Sequence, residues 1–185
     1  MSIKDIAEQI IAKTKSLALG QKRVGQNEIA DPNNKYACLF TCYYMLVNQF
    51  FLKSMSMSEY KRKCVSAGAM REDFFVLDHD KMLSCVGIEG MMKKVSTNMQ
   101  KAIYESLLRG RPVIASLAGK HWESIDGWEV LNDTLCFTVD DPGYQKDTYC
   151  DTSTLEVFRV ENNKRVYSKH ADGSRRVVTS VMVVA

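Results

Sequence analysis

The pattern of apolar and polar positions differs between the two halves of the chain. In the first half, apolar residues recur at the spacing of one helix face or form a run longer than a strand, and both patterns predict helices. The predicted helices are an amphipathic N-terminal helix with Ile3, Ile6, Ile10, Ile11 and Leu17 on its apolar face, a buried helix over 36–52, a helix over 56–67 with Ser56 or Ser58 as its cap, and a helix over 97–110. A polar loop over 20–35 connects the first two helices.

The second half, from about residue 111, alternates short strand-like segments with polar turns. The predicted strands are 111–119, 121–130, 134–141, 155–161, 164–169 and 175–185, and the turn "LND" at 131–133 predicts a hairpin. Helices followed by antiparallel strands predict an α+β fold in one domain over 1–185, with a helical part over about 1–110 and a sheet part over about 111–185. We expect an active site in the cleft between the two parts.

Composition narrows the function classes. The chain has 185 residues, of which 45% are hydrophobic, and a net charge of +3, which is too small to predict binding to nucleic acid. No apolar run reaches the length of a membrane span, and charges interrupt the apolar pattern of the N-terminus, so we predict neither a membrane span nor a signal peptide. The expected location is cytoplasmic, and export by a route without a cleaved signal stays open.

The cysteines and histidines of the sequence predict neither disulfides nor a metal site. The six cysteines lack an accompanying secretion signal and are expected to be free thiols. There is no Cys-x-x-Cys pair, and the three histidines are scattered, so no metal site is predicted. His79 and His170 are expected at the surface, and the pair Arg175-Arg176 at an exposed turn edge.

Three residues have the types and positions needed for nucleophilic catalysis. His121 opens one strand of the predicted hairpin and Asp141 ends the other, so antiparallel pairing brings them to one end of the sheet. An aspartate beside a histidine fixes its tautomer and stabilises the imidazolium. Cys38 is at the start of the buried helix, where the helix dipole and a nearby imidazole both favour a thiolate. Cys42, one turn later, is expected to be a core residue.

Three segments together resemble the papain-like cysteine peptidases. They are "YACLFTCYYML" (36–46), "RPVIASLAGKHWESIDGWE" (111–129) and "CFTVDDPGY" (136–144). In order and spacing they are most similar to the branch that contains the bacterial bacteriocin-processing (double-glycine leader) peptidase domains. The resemblance implies a papain-like fold and a thiol protease that needs no cofactor and acts on a peptide or protein substrate.

The resemblance also implies roles for individual residues. Cys38 would be the nucleophile, His121 the general base and acid, and Asp141 the orienting carboxylate, with Asp140 as the backup for Asp141. Gln26 would donate to the oxyanion, and Asn33 or Asn34 is the alternative for that role.

Two other functions stay open on the same fold. Ala37 and Leu39 replace glycines that are often found around the family's cysteine, which leaves room for a catalytically inactive module that binds a peptide or partner. Papain-like folds also include peptidoglycan amidases and effectors, and fold alone does not choose among these activities.

Overall fold

The structure is a computed structural model that describes residues 16–19, 23–143 and 147–185. These residues form an α+β fold. The strands are β1 (Ser16–Ala18), β2 (Met92–Val95), β3 (Val113–Leu117), β4 (His121–Leu131), β5 (Thr134–Asp140), β6 (Thr148–Asp151), β7 (Val157–Glu161), β8 (Lys164–Tyr167) and β9 (Val178–Val184). The α-helices are α1 (Cys38–Met45), α2 (Met57–Ser66), α3 (His79–Ser84) and α4 (Met99–Leu108). Two 3₁₀ turns, Gln26–Glu28 and Asn34–Tyr36, precede α1, and a π-helical turn, Leu46–Phe50, follows it.

The strands of the described part form one antiparallel sheet in the order β2-β9-β3-β4-β5-β6-β7-β8, with β1 paired to β4 beyond the end of β3. The predicted hairpin is the pair β4–β5, in which Leu131 pairs with Thr134. Asn132 and Asp133 have φ values of 49° and 59°. Asn and Asp tolerate this left-handed conformation, which a two-residue hairpin turn requires.

Both faces of the central strand β3 are covered. Every residue of β3 is buried. Val113 and Ala115 belong to a core that also contains Ile103 and Leu107 of α4. Ile114 belongs to a second core, built mainly from α1, α2 and α3. Because successive side chains of a strand point to opposite faces, β3 separates the two cores.

Several predicted elements differ from the structure. Leu17 was expected on a helix face but lies in β1, and the rest of the predicted N-terminal helix falls in 1–15, outside the described residues. The predicted helix over 36–52 is α-helical from Cys38 to Met45 and then π-helical. The polar loop over 20–35 contains two 3₁₀ turns in its described portion. Strands β2 and β6 and helix α3 were not predicted, and β1 and β2 place parts of the first 110 residues in the sheet.

Helix ends follow local chemistry. Of the two predicted caps, Ser56 is the one that caps α2, because its hydroxyl accepts a hydrogen bond from the Glu59 backbone N–H at 3.1 Å. Helix α4 ends at Leu108, and Gly110 follows with a φ of 72°, the conformation that favours glycine after a helix.

Among the described residues, the helices are all too short or too polar to cross a bilayer.

Candidate active site

The hairpin β4–β5 brings His121 and Asp141 together. Strand β4 begins at His121, and Asp141 directly follows the end of β5. The Nε2 atom of His121 is 2.6 Å from Oδ1 of Asp141. Because Nε2 is engaged by the carboxylate, Nδ1 is the ring nitrogen left for another partner.

Asp141 is held by two further donors. The Gly143 backbone N–H donates to Oδ1 at 2.7 Å, and Nη1 of Arg176 donates to Oδ2 at 2.9 Å. Burial alone would raise the pKa of Asp141, but the hydrogen bond and charge of His121, together with Gly143 and Arg176, lower it below its usual range. Asp141 is therefore an anion fixed on both oxygens.

Asp140 does not take part in this contact. It lies in β5, and its Oδ1 accepts a hydrogen bond from Nε of Arg23 at 3.3 Å. Burial, and then the charge of Asp126, raise its pKa to about 7. Adjacent residues at the end of a strand point in opposite directions, so only one of the two aspartates reaches the histidine. Asp140, the predicted backup, is directed towards Arg23 and not towards His121.

Cys38 reaches the same imidazole from the helical part of the molecule. It is the first residue of α1 and is half-buried. Burial disfavours the charged form of His121, but the hydrogen bond to Asp141, the interaction with the Cys38 side chain and the charges of Asp141 and Glu123 outweigh it and raise the pKa of His121 to about 10. The imidazolium form of His121 is therefore favoured at neutral pH, between the Cys38 sulfur and the Asp141 carboxylate. Cys42 is fully buried, as expected for a core cysteine.

Two charged residues of this cluster were not predicted. Glu123 is 1% exposed, and its Oε1 lies 3.9 Å from His121 Nε2 and 3.5 Å from Arg176 Nη1. Burial and the neighbouring charge of Asp141 raise the pKa of Glu123 to about 8. Arg176, predicted at an exposed turn edge, is largely buried against Asp141 and Glu123. The only sequence signal for Glu123 was its position two residues after His121, on the same face of β4.

The cluster contains donors that also bind metals. Ligand atoms of His121, Glu123 and Asp141 lie within 4.8 Å of one another. Arg176, however, contacts both carboxylates, so a cation of the protein already neutralises them. A divalent ion would have to displace this guanidinium, and the donor set therefore does not fit a metal site.

Two hydrogen bonds hold Gln26 between the segment after Asp141 and the segment before Cys38. Its backbone N–H donates to the Pro142 carbonyl at 2.9 Å, and its side-chain Nε2 donates to the Lys35 carbonyl at 3.3 Å. The first contact joins Gln26 to the turn after Asp141, and the second joins it to the segment that leads into Cys38. One N–H of the amide is left for another acceptor. Of the two alternatives, Asn34 donates its side-chain amide to the Ile29 carbonyl at 3.2 Å, whereas Asn33 lines the cleft described next.

A cleft of about 640 Å³ opens beside Cys38. One wall is Trp122 with Gly119 and Lys120, and the opposite wall is the segment that precedes and begins α3. The side chains from that segment are Arg71, Asp73, Phe74, Phe75, Val76 and His79. Residues of both the sheet part and the helical part therefore line the cleft.

The two remaining histidines are less exposed than predicted. His79 is half-buried at the start of α3, where its Nδ1 lies 2.8 Å from the Tyr43 hydroxyl of α1. Burial lowers its pKa, against the raising effect of Asp80 and Asp78. His170 lies in a turn, as expected, but is partly buried.

No protein-family model and no curated protein matches this sequence. The function therefore has to be inferred from the geometry of the site.

Proposed function

We propose that this protein is a thiol-dependent hydrolase of papain-like fold that cleaves peptide or amide bonds through Cys38, His121 and Asp141. The observation that carries the proposal is the position of His121, which interacts with the Cys38 side chain while its Nε2 is bonded to Asp141. An imidazolium beside a cysteine is the arrangement that stabilises a reactive thiolate. The two fixed oxygens of Asp141 hold the ring in that orientation.

The reaction would proceed in two steps. The Cys38 sulfur attacks the carbonyl carbon, the C–N bond breaks, and the imidazolium gives its proton to the leaving amine. The acyl group is then bonded to sulfur as a thioester. Water gives a proton to the now neutral His121 as it attacks the thioester, which releases the carboxylic acid and restores the thiolate–imidazolium pair.

Negative charge on the carbonyl oxygen needs donors during both steps. The Cys38 backbone N–H is at the start of α1, where amides lack a partner within the helix. The remaining N–H of the Gln26 amide is the second donor that we propose, because Gln26 is tied to both Pro142 and Lys35.

The test is the rate of iodoacetamide reaction at Cys38 between pH 5 and 9, read by mass spectrometry with fragmentation that separates Cys38 from Cys42. In the wild type we expect Cys38 to react at pH 6 at least about tenfold faster than an unactivated thiol. In His121→Ala, the rate of the Cys38 reaction at pH 6 should fall to that of an unactivated thiol. Buried Cys42 is the internal control and should stay unmodified in the folded protein.

Turnover is tested with a library of internally quenched peptides. Cleavage by the wild type that is lost in Cys38→Ser and reduced in Gln26→Ala would support the full mechanism. If Cys38 reacts only when the protein unfolds, the cysteine is a core residue and the hydrolase proposal is wrong. If Cys38 is reactive but no peptide in the library is cleaved, cleavage of peptide bonds is contradicted, and the amidase alternative on the same fold takes its place.

A further inference from the structure

Two cysteines that contact each other, Cys64 and Cys85, lie away from the cluster of Cys38, His121 and Asp141. Cys64, in α2, is fully buried, and Cys85, directly after α3, is half-buried. Their sulfur atoms are 3.6 Å apart. The residues are 21 positions apart in the chain, so the contact is made by the packing of the two helices and not by local sequence.

The two helices are held side by side next to this pair. Tyr60, one turn before Cys64, donates its hydroxyl to the Met82 carbonyl at 2.7 Å. Tyr60 and Met82 are both fully buried. This hydrogen bond holds α2 against α3 beside the two sulfurs, which would have to close from 3.6 Å to about 2.05 Å to form a disulfide.

The two thiols differ in character. The hydrogen bond with Cys64 lowers the pKa of Cys85, whereas the same bond and burial raise the pKa of Cys64. Cys85 is thus the more accessible sulfur and the one on which the thiolate is favoured, and either sulfur can donate in the contact between them.

We propose that Cys64 and Cys85 are a peroxide-sensitive dithiol that closes to a reversible disulfide. The Cys85 thiolate attacks one oxygen of hydrogen peroxide, the O–O bond breaks, and hydroxide leaves, so that Cys85 becomes a sulfenic acid. The Cys64 sulfur then attacks the Cys85 sulfur, the S–O bond breaks, and the departing hydroxide takes the Cys64 proton to form water. The two sulfurs lose two electrons. The hydroxide released in the first step takes a proton from the solvent, which replaces the proton that Cys85 lost on ionising, so the peroxide is reduced to two waters.

The disulfide would tie the two ends of one cleft wall. Between Cys64 and Cys85 the chain supplies the cleft side chains Arg71, Asp73, Phe74, Phe75, Val76 and His79. A bond that joins the ends of this segment lowers the number of open conformations available to it. Regulation of substrate access by this bond rests on the proposed function, whereas formation of the bond does not.

The experiment uses the Cys38→Ser protein, so that reactivity of the candidate nucleophile does not affect the result. The protein is treated with hydrogen peroxide, remaining thiols are blocked, and tryptic peptides are analysed without reduction. Cys64 is the only cysteine in peptide 64–71 and Cys85 the only one in peptide 82–93. We expect these two peptides to be joined, and to separate again after treatment with dithiothreitol.

The consequence for the cleft wall is measured by hydrogen exchange of residues 67–78. We expect exchange to be about threefold slower or more after oxidation, because the bond restricts local opening. Cys136→Ser is the matched control and should form the linked peptide as efficiently as the parent. Cys64→Ser should leave Cys85 as a sulfenic or sulfinic acid, and Cys85→Ser should leave Cys64 unoxidised.

Two outcomes would overturn the inference. The first is Cys85 oxidised to sulfinic acid in the parent protein while Cys64 stays a free thiol. The second is a linked peptide that appears only after the protein has unfolded. Because Cys38 is absent throughout, neither outcome bears on the hydrolase proposal, and failure of Cys38 to react with iodoacetamide does not bear on the dithiol.

Discussion

At the scale of the residue, the charge on His121 links the candidate site to the stability of the fold. An unfolded histidine has a pKa near 6.5, whereas the folded value for His121 is about 10. The folded state therefore holds a proton that the unfolded state has lost between these two pH values. The stability that this proton contributes is complete below pH 6.5 and is lost as the pH rises towards 10.

Glu123 also makes the folded state less stable as the pH rises, over a lower pH range than His121. Its folded pKa of about 8 lies above the ordinary value of 4.5, so the folded state keeps a proton that the unfolded state releases. Rising pH from about 4.5 to about 8 therefore favours unfolding through this residue. Asp141, with a lowered pKa, contributes stability that is lost only in acid.

We expect the free energy of unfolding in urea to fall steadily between pH 6.5 and pH 9.5. His121→Gln should flatten this dependence, because the unfolded and folded pKa values of His121, 6.5 and about 10, span that whole range. His170→Gln is the control: burial lowers the pKa of His170, so its removal should leave the slope between pH 7 and 9.5 unchanged. Equal slopes in the wild type and in His121→Gln would show that His121 is neutral in the folded protein.

The sequence singled out the cluster residues that stand at the ends of predicted elements, and it missed the two whose place depends on packing by distant segments. Cys38, His121 and Asp141 were singled out because the turn at 131–133 predicts the hairpin and the apolar run predicts the helix. Arg176 reaches Asp141 from a segment 35 positions later in the chain, and no local pattern encodes that contact. The burial of Glu123 could not be predicted from local sequence either, because it depends on which distant segments cover the two faces of β4.

At the scale of the element, the pairing of β1 with β4 requires a glycine in β4. Gly127 pairs with Ala18 of β1. A β-carbon at this position would lie 2.0 Å from the Leu17 carbonyl oxygen and 2.9 Å from the Thr138 hydroxyl. Because the first of these atoms is backbone, it cannot move aside without moving the strand. The close approach of β1 therefore requires glycine at 127.

Gly127→Ala should detach β1 from β4 and reduce the free energy of unfolding by roughly 1–3 kcal/mol. Hydrogen exchange should be faster at residues 16–19 and unchanged in β5 and β9. Gly90→Ala is the matched control, because a β-carbon there meets Val184 at an ordinary 3.4 Å. Protection at residues 16–19 that is unchanged in Gly127→Ala would contradict this pairing.

The strands that sequence missed lack an apolar alternation of their own. Strand β2 has the sequence "MKKV", and all four of its residues pair with β9 although the side chains of its two central lysines are exposed. Residues 16–18 continue a helical apolar pattern in the sequence, yet they form a strand because β4 offers an unpaired edge there. Tertiary pairing decides such short segments, whereas each of the six strands predicted from residue 111 onwards corresponds to a strand of the structure.

At the scale of the whole molecule, the two cores share their central strands. In β3, Val113 and Ala115 face the α4 core and Ile114 faces the core of α1, α2 and α3. In β9, Val181 belongs to the first core and Met182 to the second. Loss of either core would expose one face of both strands, so we expect the two cores to unfold together.

The two tryptophans provide one reporter for each core. Trp128 is 1% exposed in the α4 core, where it contacts Tyr104 with ring centroids 6.0 Å apart, and Trp122 packs against the core of α1, α2 and α3. In Trp122→Phe the fluorescence reports only the first core, and in Trp128→Phe only the second. In each variant we expect the fluorescence transition in urea to coincide with the far-ultraviolet circular dichroism transition. A Trp122 transition that precedes the loss of sheet signal would mean that the helices carrying Cys38 unfold separately, and the single-domain expectation would then be wrong.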